Sequence, residues 1–348
     1  MTITNTLATD QTVDSVCVIR ESVSITAASQ WTRPKEGAMR ASEAEVVTEG
    51  LQFPEGPIYV SNGSVILVEI RAGRLTRVRL SDGQKSIVAE CGGGPNGAAV
   101  TADGRIIVCN NGGFSWEAGS DNRIATLRPE DYQGGSIQLV DPENGVVETI
   151  FTQSGDHKLP GPSDVVVDSV GGTWITDAGK RWHRSLEIGA VHYITPDGKT
   201  IREELFPLIQ PNGIGFSPEG DRLYVAETAP GRLWWWPVIG HGELDKSGPG
   251  PAGGRLLIGL DGFQPLDSLA IDAEGNVCIG TLRSGVISVI SPEGALVDQV
   301  SLPVHDDFVT SICFGGSDMR TAFITSSGVG RLYALKWPCP GTALAFNL

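Results

Sequence analysis

The chain has 348 residues, among them 45 glycines and 21 prolines, and carries a formal net charge of −15. This acidity argues against nucleic acid and against an anionic membrane as partners, because both repel a negatively charged protein. The glycines and prolines follow no collagen-like period and favour many short strands joined by tight turns.

The first 40 residues are rich in serine and threonine and contain no clear repeat. They lack the basic start and the continuous apolar core of a secretory signal peptide, and no apolar stretch in the chain reaches the roughly 20 residues that span a bilayer. The six cysteines are scattered without a CxxC pair or zinc-site spacing, which is typical of buried thiols in a reducing compartment. We therefore expect a soluble, cytoplasmic protein with an N-terminal extension at 1–40, one domain at 41–340 and a C-terminal tail at 341–348.

One pattern recurs six times along the domain. Each copy has a polar residue after a short turn, an alternating apolar strand, a tight turn such as DG or EG, and a second strand. This alternation predicts β-hairpins, and no long stretch has the 3.6-residue period of a helix. Six copies of three or four strands predict an all-β fold, a six-bladed β-propeller around a central channel, with a β-sandwich as the alternative. The copies begin at PEGPIYV, PNGAAVT, PSDVVVD, PNGIGFS, LDSLAID and VTSICFG.

Two departures from the repeat refine this architecture. The last copy has only three strands, and the run AEVVTEG at 44–50 is expected to supply the fourth and close the ring. Closure removes the exposed strand edges that invite aggregation. The second copy carries the insertion FSWEAGSDNRIATLRPEDYQGG, which predicts a loop over one end of the propeller.

The first polar residue of each copy occupies an equivalent position in the repeat. Inner strands of a propeller all begin at the same end of the channel, so these side chains should meet there. Two carboxylates brought together repel each other unless a cation lies between them, and oxygen donors favour Ca²⁺ or Mg²⁺. We therefore predict a divalent metal with Glu55, Asn212 and Asp267 as ligands; for any one such residue, a turn bonded to backbone is the alternative. The six equivalent residues are Glu55, Asn96, Ser163, Asn212, Asp267 and Thr310.

These segments resemble the regucalcin/gluconolactonase-type six-bladed propellers, which are relatives of the squid-type phosphotriesterase and the paraoxonases. The resemblance covers roughly residues 44–338 and is carried by EGP at 55–57, PNG at 95–97, PSDVVVD at 162–168, PNGIGFSPEGDRLYVAET at 211–228 and DSLAIDAEGN at 267–276. It implies one catalytic divalent metal, with Ca²⁺ expected and Mg²⁺, Mn²⁺ or Zn²⁺ as alternatives. The implied ligands fall on Glu55, Ser163, Asn212 and Asp267.

Two positions depart from the family's pattern. The family has asparagine where this chain has Ser163, so either a water bridges the serine to the metal or Asn96 completes the ligand set. Ser268 stands where the family usually has glycine, which adds a hydroxyl beside Asp267.

The resemblance implies an enzyme, a metal-dependent hydrolase that opens a lactone or related ester in a small-molecule substrate. The metal would polarise the carbonyl and Asp267 would activate water, with Glu227 and Asp177 as further carboxylates near the channel. Substrate contacts are predicted at Asn96, Asp177, Lys180, Arg181 and His183. The alternatives are a relative with diverged chemistry, such as phosphoester hydrolysis or a metal-assisted lyase or isomerase step, and a non-enzymatic ligand-binding propeller. The oligomeric state stays open.

Overall fold

The computed structural model describes residues 43–119 and 122–348. They form six antiparallel sheets in which four strands follow one another from the channel outwards. The described ranges contain no α-helix, and the 3-10 turn Pro251–Gly253 lies in a loop of the fourth blade. The predicted six-bladed β-propeller is therefore confirmed.

Every blade has an inner, a second, a third and an outer strand. The inner strands are Pro54–Val60, Pro95–Val100, Pro162–Val167, Pro211–Phe216, Leu266–Ile271 and Val309–Gly315. The second strands are Ser64–Glu69, Ile106–Asn110, Thr173–Asp177, Arg222–Glu227, Val277–Thr281 and Thr321–Ser326. The third strands are Arg74–Arg79, Ser136–Val140, Gly189–Ile194, Arg232–Gly240, Val286–Ile290 and Arg331–Lys336. The outer strands are Lys85–Glu90, Val147–Phe151, Ile201–Leu208, Arg255–Gly259, Leu296–Ser301 and Glu45–Glu49.

Three short pairings lie outside this plan. Ser115–Trp116 pairs with Ile124–Thr126 inside the insertion of the second blade. Gln153–Ser154 pairs with His157–Lys158 ahead of the third blade. Glu243–Leu244 pairs with the third strand of the fourth blade.

The core lies between neighbouring blades, as the second strand of the first blade illustrates. Every residue of Ser64–Glu69 is buried. Val65 and Leu67 pack in a cluster shared with the sixth blade, whereas Ile66 and Val68 pack in one shared with the second blade. Successive side chains of a strand point to opposite faces, so a strand between two blades is apolar on both.

The ring is closed by the outer strand of the sixth blade, which comes from the start of the domain. Glu45–Glu49 pairs antiparallel with Arg331–Lys336, and Glu45 lies opposite Ala334. An ion pair of 3.2 Å between Arg331 Nη2 and Glu49 Oε2 joins the two strands at one end. Glu45–Glu49, within the run at 44–50, thus supplies the fourth strand of the sixth blade.

The channel end where the inner strands finish is covered by the segment Gly341–Leu348. The Thr342 amide donates to the Ile271 carbonyl oxygen at 2.9 Å, and the Ser61 amide donates to the Leu348 carbonyl oxygen at 3.0 Å. Phe346 packs against the apolar clusters of the first three blades. A cavity of about 650 Å³ lies between this segment and the polar end of the channel.

Three expectations concern the chain outside the sheets. The predicted N-terminal extension at 1–40 lies outside the described residues. The five described cysteines are free and buried: Cys91, Cys109, Cys278, Cys313 and Cys339. No helix in the described part of the chain is long and apolar enough to cross a membrane.

Candidate metal centre

All six inner strands share one irregularity near their first residues. In the first blade Pro54 pairs with Glu69 and Ile58 pairs with Ile66, and the register shifts between Glu55 and Ile58. The same shift follows the start of every other inner strand. A β-bulge of this kind re-aims a side chain out of the pleat. The six predicted residues therefore occupy equivalent bulges at one end of the channel.

In the first five blades the residue after the predicted position also lies in the bulge, and in three of them it is a glycine. A Cβ at Gly97 would come within 2.6 Å of the Ser163 carbonyl oxygen, and a Cβ at Gly213 within 2.4 Å of the Asp267 carbonyl oxygen. At these two glycines the neighbouring inner strand lies too close for a larger side chain. In the third and fifth blades this position holds Asp164 and Ser268, both buried. The register of the repeat did not predict Asp164 as a site residue.

A continuous chain of hydrogen bonds links the predicted residues of four successive blades. Asn96 Nδ2 donates to Ser163 Oγ at 3.2 Å, and Ser163 Oγ donates to Asn212 Oδ1 at 3.0 Å. Asn212 Nδ2 then donates to Asp267 Oδ1 at 2.6 Å. Four predicted site residues are thus brought into one contiguous polar cluster. We call this cluster, together with Glu55, Asp164, Ser268 and Thr310, the polar ring.

Three carboxylates of the polar ring are buried and influence one another. The exposed fractions are 2% for Glu55, 8% for Asp164 and 8% for Asp267. Burial and the charge of Asp267 raise the pKa of Glu55 well above its usual range. Burial raises the pKa of Asp164 to about 7, and burial together with the charge of Asp164 raises the pKa of Asp267 to about 7.

Thr310 and its neighbours complete the ring between the sixth and first blades. Thr310 Oγ1 hydrogen-bonds Thr325 Oγ1 at 2.9 Å and Ser327 Oγ at 2.6 Å. Ser327 Oγ donates to the Pro54 carbonyl oxygen at 2.5 Å, just ahead of Glu55. A hydrogen bond from Thr310 lowers the pKa of Glu55, against the larger effect of burial.

The donor set of the polar ring suits a hard cation. Ca²⁺ takes six to eight oxygen ligands from carboxylates, amides, hydroxyls and water. Among the described residues, no group of three or more histidine, cysteine, aspartate or glutamate side chains is arranged to hold a metal ion, so the three carboxylates of the ring do not form a metal site by themselves. The amide oxygen of Asn212 and the hydroxyls of Ser163 and Ser268 are the further donors within the ring. An ion there would also relieve the repulsion among the three carboxylates.

The carboxylates that end the second strands brace the start of the inner strand in their own blade. Asp177 Oδ1 accepts hydrogen bonds from the Gly161 and Gly179 amides at 2.8 and 2.9 Å. Glu227 Oε1 accepts the Ile209 amide, and its Oε2 accepts Trp234 Nε1 at 2.7 Å. Glu69 accepts the Gln52 amide in the same way. These groups hold the turns that present the polar ring.

The segment after Asp177 divides into a buried and an exposed part. Lys180 is 2% exposed, and burial lowers its pKa to about 7. Arg181 and His183 are exposed. Lys180 therefore faces protein groups rather than solvent, and Arg181 and His183 remain available at the surface.

Comparison with known proteins places the chain. Residues 53–328 match the sequence profile of the SMP-30/gluconolactonase/LRE-like region family. The chain belongs to this family. The matched region contains the whole polar ring from Glu55 to Thr310 and leaves out the closing strand Glu45–Glu49.

Relatives in this family carry lactonase names. Lactonase drp35 of Staphylococcus saprophyticus is 26% identical over 263 residues, which are 75% of this chain and 73% of that protein. Lactonase drp35 of Staphylococcus aureus strain MRSA252 is 24% identical over 76% of this chain and 74% of that protein.

Solved structures share the fold. A gluconolactonase from Xanthomonas campestris superposes with a TM-score of 0.65 at 21% identity, covering 86% of this chain and 92% of the other. Regucalcin from Agrobacterium tumefaciens strain C58, described as a calcium-binding protein, superposes with a TM-score of 0.63 at 18% identity, covering 87% and 96%.

Proposed function

We propose that this protein is a metal-dependent hydrolase that opens a lactone or related ester in a small-molecule substrate. The observation that carries the proposal is the convergence of three buried carboxylates with amide and hydroxyl oxygens at one mouth of the channel. The lactonase and gluconolactonase names of its relatives support the same reaction class.

The residues proposed to hold the metal are Glu55, Asn212 and Asp267, joined by Asp164 and the hydroxyl of Ser163 or Ser268. Asp164 enters the set because it is buried in the bulge directly after Ser163, and its charge raises the pKa of both Glu55 and Asp267. Ca²⁺ is the expected ion, since the donors are hard oxygens and a structural relative is described as calcium-binding. When bound, the ion supplies a Lewis acid that polarises the substrate carbonyl and stabilises negative charge on its oxygen.

Asp267 is the proposed general base that takes a proton from the attacking water. The Asn212 amide group holds Asp267 Oδ1 at 2.6 Å and thereby fixes the orientation of the carboxylate. Its raised pKa of about 7 in the metal-free protein follows from burial and from the charge of Asp164. A base whose pKa lies near the working pH transfers protons efficiently, and a nearby cation lowers that pKa again.

The test is turnover of a substrate panel by the purified protein with added Ca²⁺. Sugar lactones, aromatic lactones and organophosphates are compared, and we expect hydrolysis of at least one lactone. Asp267→Asn should lower kcat by about 10²–10⁴-fold, the range of general acid–base catalysis. The matched control is Asp261→Asn, which changes an exposed aspartate in the bend between the outer strand of the fourth blade and the inner strand of the fifth.

Other outcomes separate the alternatives. Turnover of organophosphates without any lactone indicates a family member with diverged chemistry. Calcium binding that needs Glu55 and Asp267 but accompanies no turnover indicates a ligand-binding propeller. Full lactone turnover by Asp267→Asn contradicts the role given to Asp267.

A further inference from the structure

We propose that Lys180 is a positioning residue that fastens the insertion of the second blade over the channel mouth, so that it controls how tightly substrate is held. The inference about substrate rests on the proposed function. The part of the insertion concerned is residues 111–119 and 122–135, which we call the roof loop.

The roof loop leaves and re-enters its blade at the mouth that carries the polar ring. Asn110, the last residue of the second strand, pairs with Pro95 on one side and with Ser136 on the other. Pro95 directly precedes Asn96 of the polar ring. Both ends of the roof loop therefore lie beside the polar ring.

The tip of the roof loop reaches the first and sixth blades. Asn122 Nδ2 donates to the Leu51 carbonyl oxygen at 3.0 Å. The rings of Trp116 and Phe53 lie 5.3 Å apart between centroids, and those of Phe53 and Phe308 lie 5.5 Å apart. Phe53 lies two residues before Glu55, and Phe308 two residues before Thr310. The loop thus contacts the entry to the first inner strand directly, and its Asn122 lies against Gly330 of the sixth blade, where an added Cβ would come within 3.0 Å of Asn122 Nδ2.

The base of the roof loop is held by Lys180 of the third blade. Its Nζ donates to the Gly113 carbonyl oxygen at 3.0 Å and lies 3.4 Å from Asn111 Oδ1. The same ammonium lies 5.0 Å from the centroid of the Phe114 ring and 5.3 Å from that of Tyr132. Four residues of the roof loop therefore converge on one buried side chain.

A buried lysine needs partners that compensate for its lost hydration. Here two oxygen acceptors and two ring faces come from the roof loop, while the carboxylates of Asp177 and Glu187 act on the charge from the third blade. An ammonium group bonds acceptors on separate segments at once, and aromatic faces attract it. Lys180 thereby connects the third blade to a loop that ends on the first and sixth.

A loop fastened over the mouth acts on binding more than on the chemical step. None of the contacts of Lys180 given above involves the polar ring, so removing it leaves the proposed metal ligands and general base in place. A change that weakens ground-state and transition-state binding equally raises KM and leaves kcat unchanged. This split separates a positioning role from a general loss of structure.

The decisive variant is Lys180→Met, which keeps the length of the side chain and removes the charge. Lys180→Arg is the conservative variant expected to restore the fastening in part, and Lys199→Met is the control at an exposed turn. Phe114→Leu provides a second variant if Lys180→Met fails to fold, because it removes a ring beneath the ammonium and leaves the lysine.

The rate of amide hydrogen exchange in the roof loop measures directly whether Lys180 holds the loop in place. The Gly113 amide bonds Asn111 Oδ1 and the Glu117 amide bonds the Arg123 carbonyl oxygen, so both report on the roof loop. We expect exchange at these amides to accelerate by about tenfold or more in Lys180→Met, with the blade strands unchanged. In the same variant KM for a lactone substrate should rise about tenfold while kcat stays within about twofold.

Three results would overturn the inference or part of it. Unchanged amide exchange in both Lys180→Met and Phe114→Leu would show that Lys180 does not hold the roof loop in place. Faster exchange with an unchanged KM separates the fastening from substrate binding and refutes its functional role. If the wild-type protein turns over no lactone, the proposed function fails and the substrate part falls with it, whereas exchange still decides the fastening.

Discussion

The two ends of the channel are built from the same six strands and have opposite chemistry. Where the inner strands begin, bulges present the polar ring, and a long insertion lies over the mouth. Where they finish, a cavity of about 650 Å³ is lined mainly by apolar side chains, with Asp168, Glu219 and His241 also in its wall, and the segment Gly341–Leu348 covers the opening. The polar side chains thus lie at the bulged start of each inner strand, and the regular remainder of the strand forms the wall of the channel.

The boundary between the two ends is sharp. Ala98, Val165, Ile214 and Leu269 follow the bulges and line the cavity. Asp164 is the one carboxylate of the polar ring that also borders it. An apolar wall directly beneath buried carboxylates keeps the local dielectric constant low and strengthens their interactions. If the two ends act independently, a change at one end leaves the function of the other unaltered.

The largest difference should come from removing a ring carboxylate. We expect Glu55→Gln to weaken Ca²⁺ binding by more than about 100-fold, since even partners of metal ligands cost about 10–100-fold when lost. Calorimetric titration with Ca²⁺ measures this. The matched control is Glu90→Gln, an exposed glutamate at the end of an outer strand. Equal affinity in wild type and Glu55→Gln would remove Glu55 from the metal centre.

The free energy of unfolding of the metal-free protein should depend on pH because its buried carboxylates, including those of the polar ring, have raised pKa values. Asp164 and Asp267 of the polar ring, and Asp177 outside it, have pKa values that burial raises to about 7, whereas unfolded aspartate titrates near pH 4. The folded state then binds more protons than the unfolded state between these values, so the free energy of unfolding falls as pH rises from about 4 to about 7. Each group contributes up to about 1.4 kcal/mol per pH unit.

Urea unfolding at a series of pH values, with chelator or with Ca²⁺, measures this slope. Added Ca²⁺ should reduce it, because a cation favours the ionised carboxylates. Asp164→Asn should reduce it in the absence of metal. A metal-free protein whose stability is flat between pH 4.5 and 7 would contradict the raised pKa values.

Removing Asp177, which holds the turns before its blade's inner strand and after its second strand by hydrogen bonds, should lower stability and leave Ca²⁺ affinity unchanged. Asp177→Ala removes the acceptor of one buried and one partly buried amide, and we expect a loss of about 1–3 kcal/mol in the free energy of unfolding. Denaturant unfolding gives the loss, and calorimetry should show Ca²⁺ affinity within about threefold of wild type. A collapse of affinity with little loss of stability would instead place Asp177 in the site.

The smallest effect on activity should come from a change at the end of the channel where the inner strands finish. Truncation after Gly341 removes the cover of the cavity, so an apolar fluorescent dye should bind more strongly to the truncated protein. Because the polar ring lies at the other mouth, kcat/KM should stay within about twofold of wild type. A large loss of activity with the fold intact would show that the two ends are coupled.

Much of this organisation could be predicted from the sequence because the repeat fixes the register. Once the six hairpins are aligned, Glu55, Asn96, Ser163, Asn212, Asp267 and Thr310 fall at one position. The closing strand was predictable for a similar reason, since the last copy lacks one strand and AEVVTEG has the required alternation.

What escaped the sequence analysis depends on the bulge and on contacts between loops. Asp164 belongs to the ring because the bulge turns two successive side chains, those of Ser163 and Asp164, towards the channel. Strict alternation along a strand would place one of them on the opposite face. A signal was present: PEG and PNG have glycine where PSD has aspartate. The burial of Lys180 had no such signal, because its partners lie in an insertion with no repeat.

The strand Glu45–Glu49 also bears on the order in which the protein folds. It precedes the first blade in the chain but pairs with Arg331–Lys336 of the last. During synthesis the closing strand emerges before any blade and stays unpaired with Arg331–Lys336 until the sixth blade has left the ribosome. Pairings between such distant segments form slowly, because a long intervening chain must first be ordered. Circular permutation that makes this strand follow Lys336 directly should therefore speed the final step of folding.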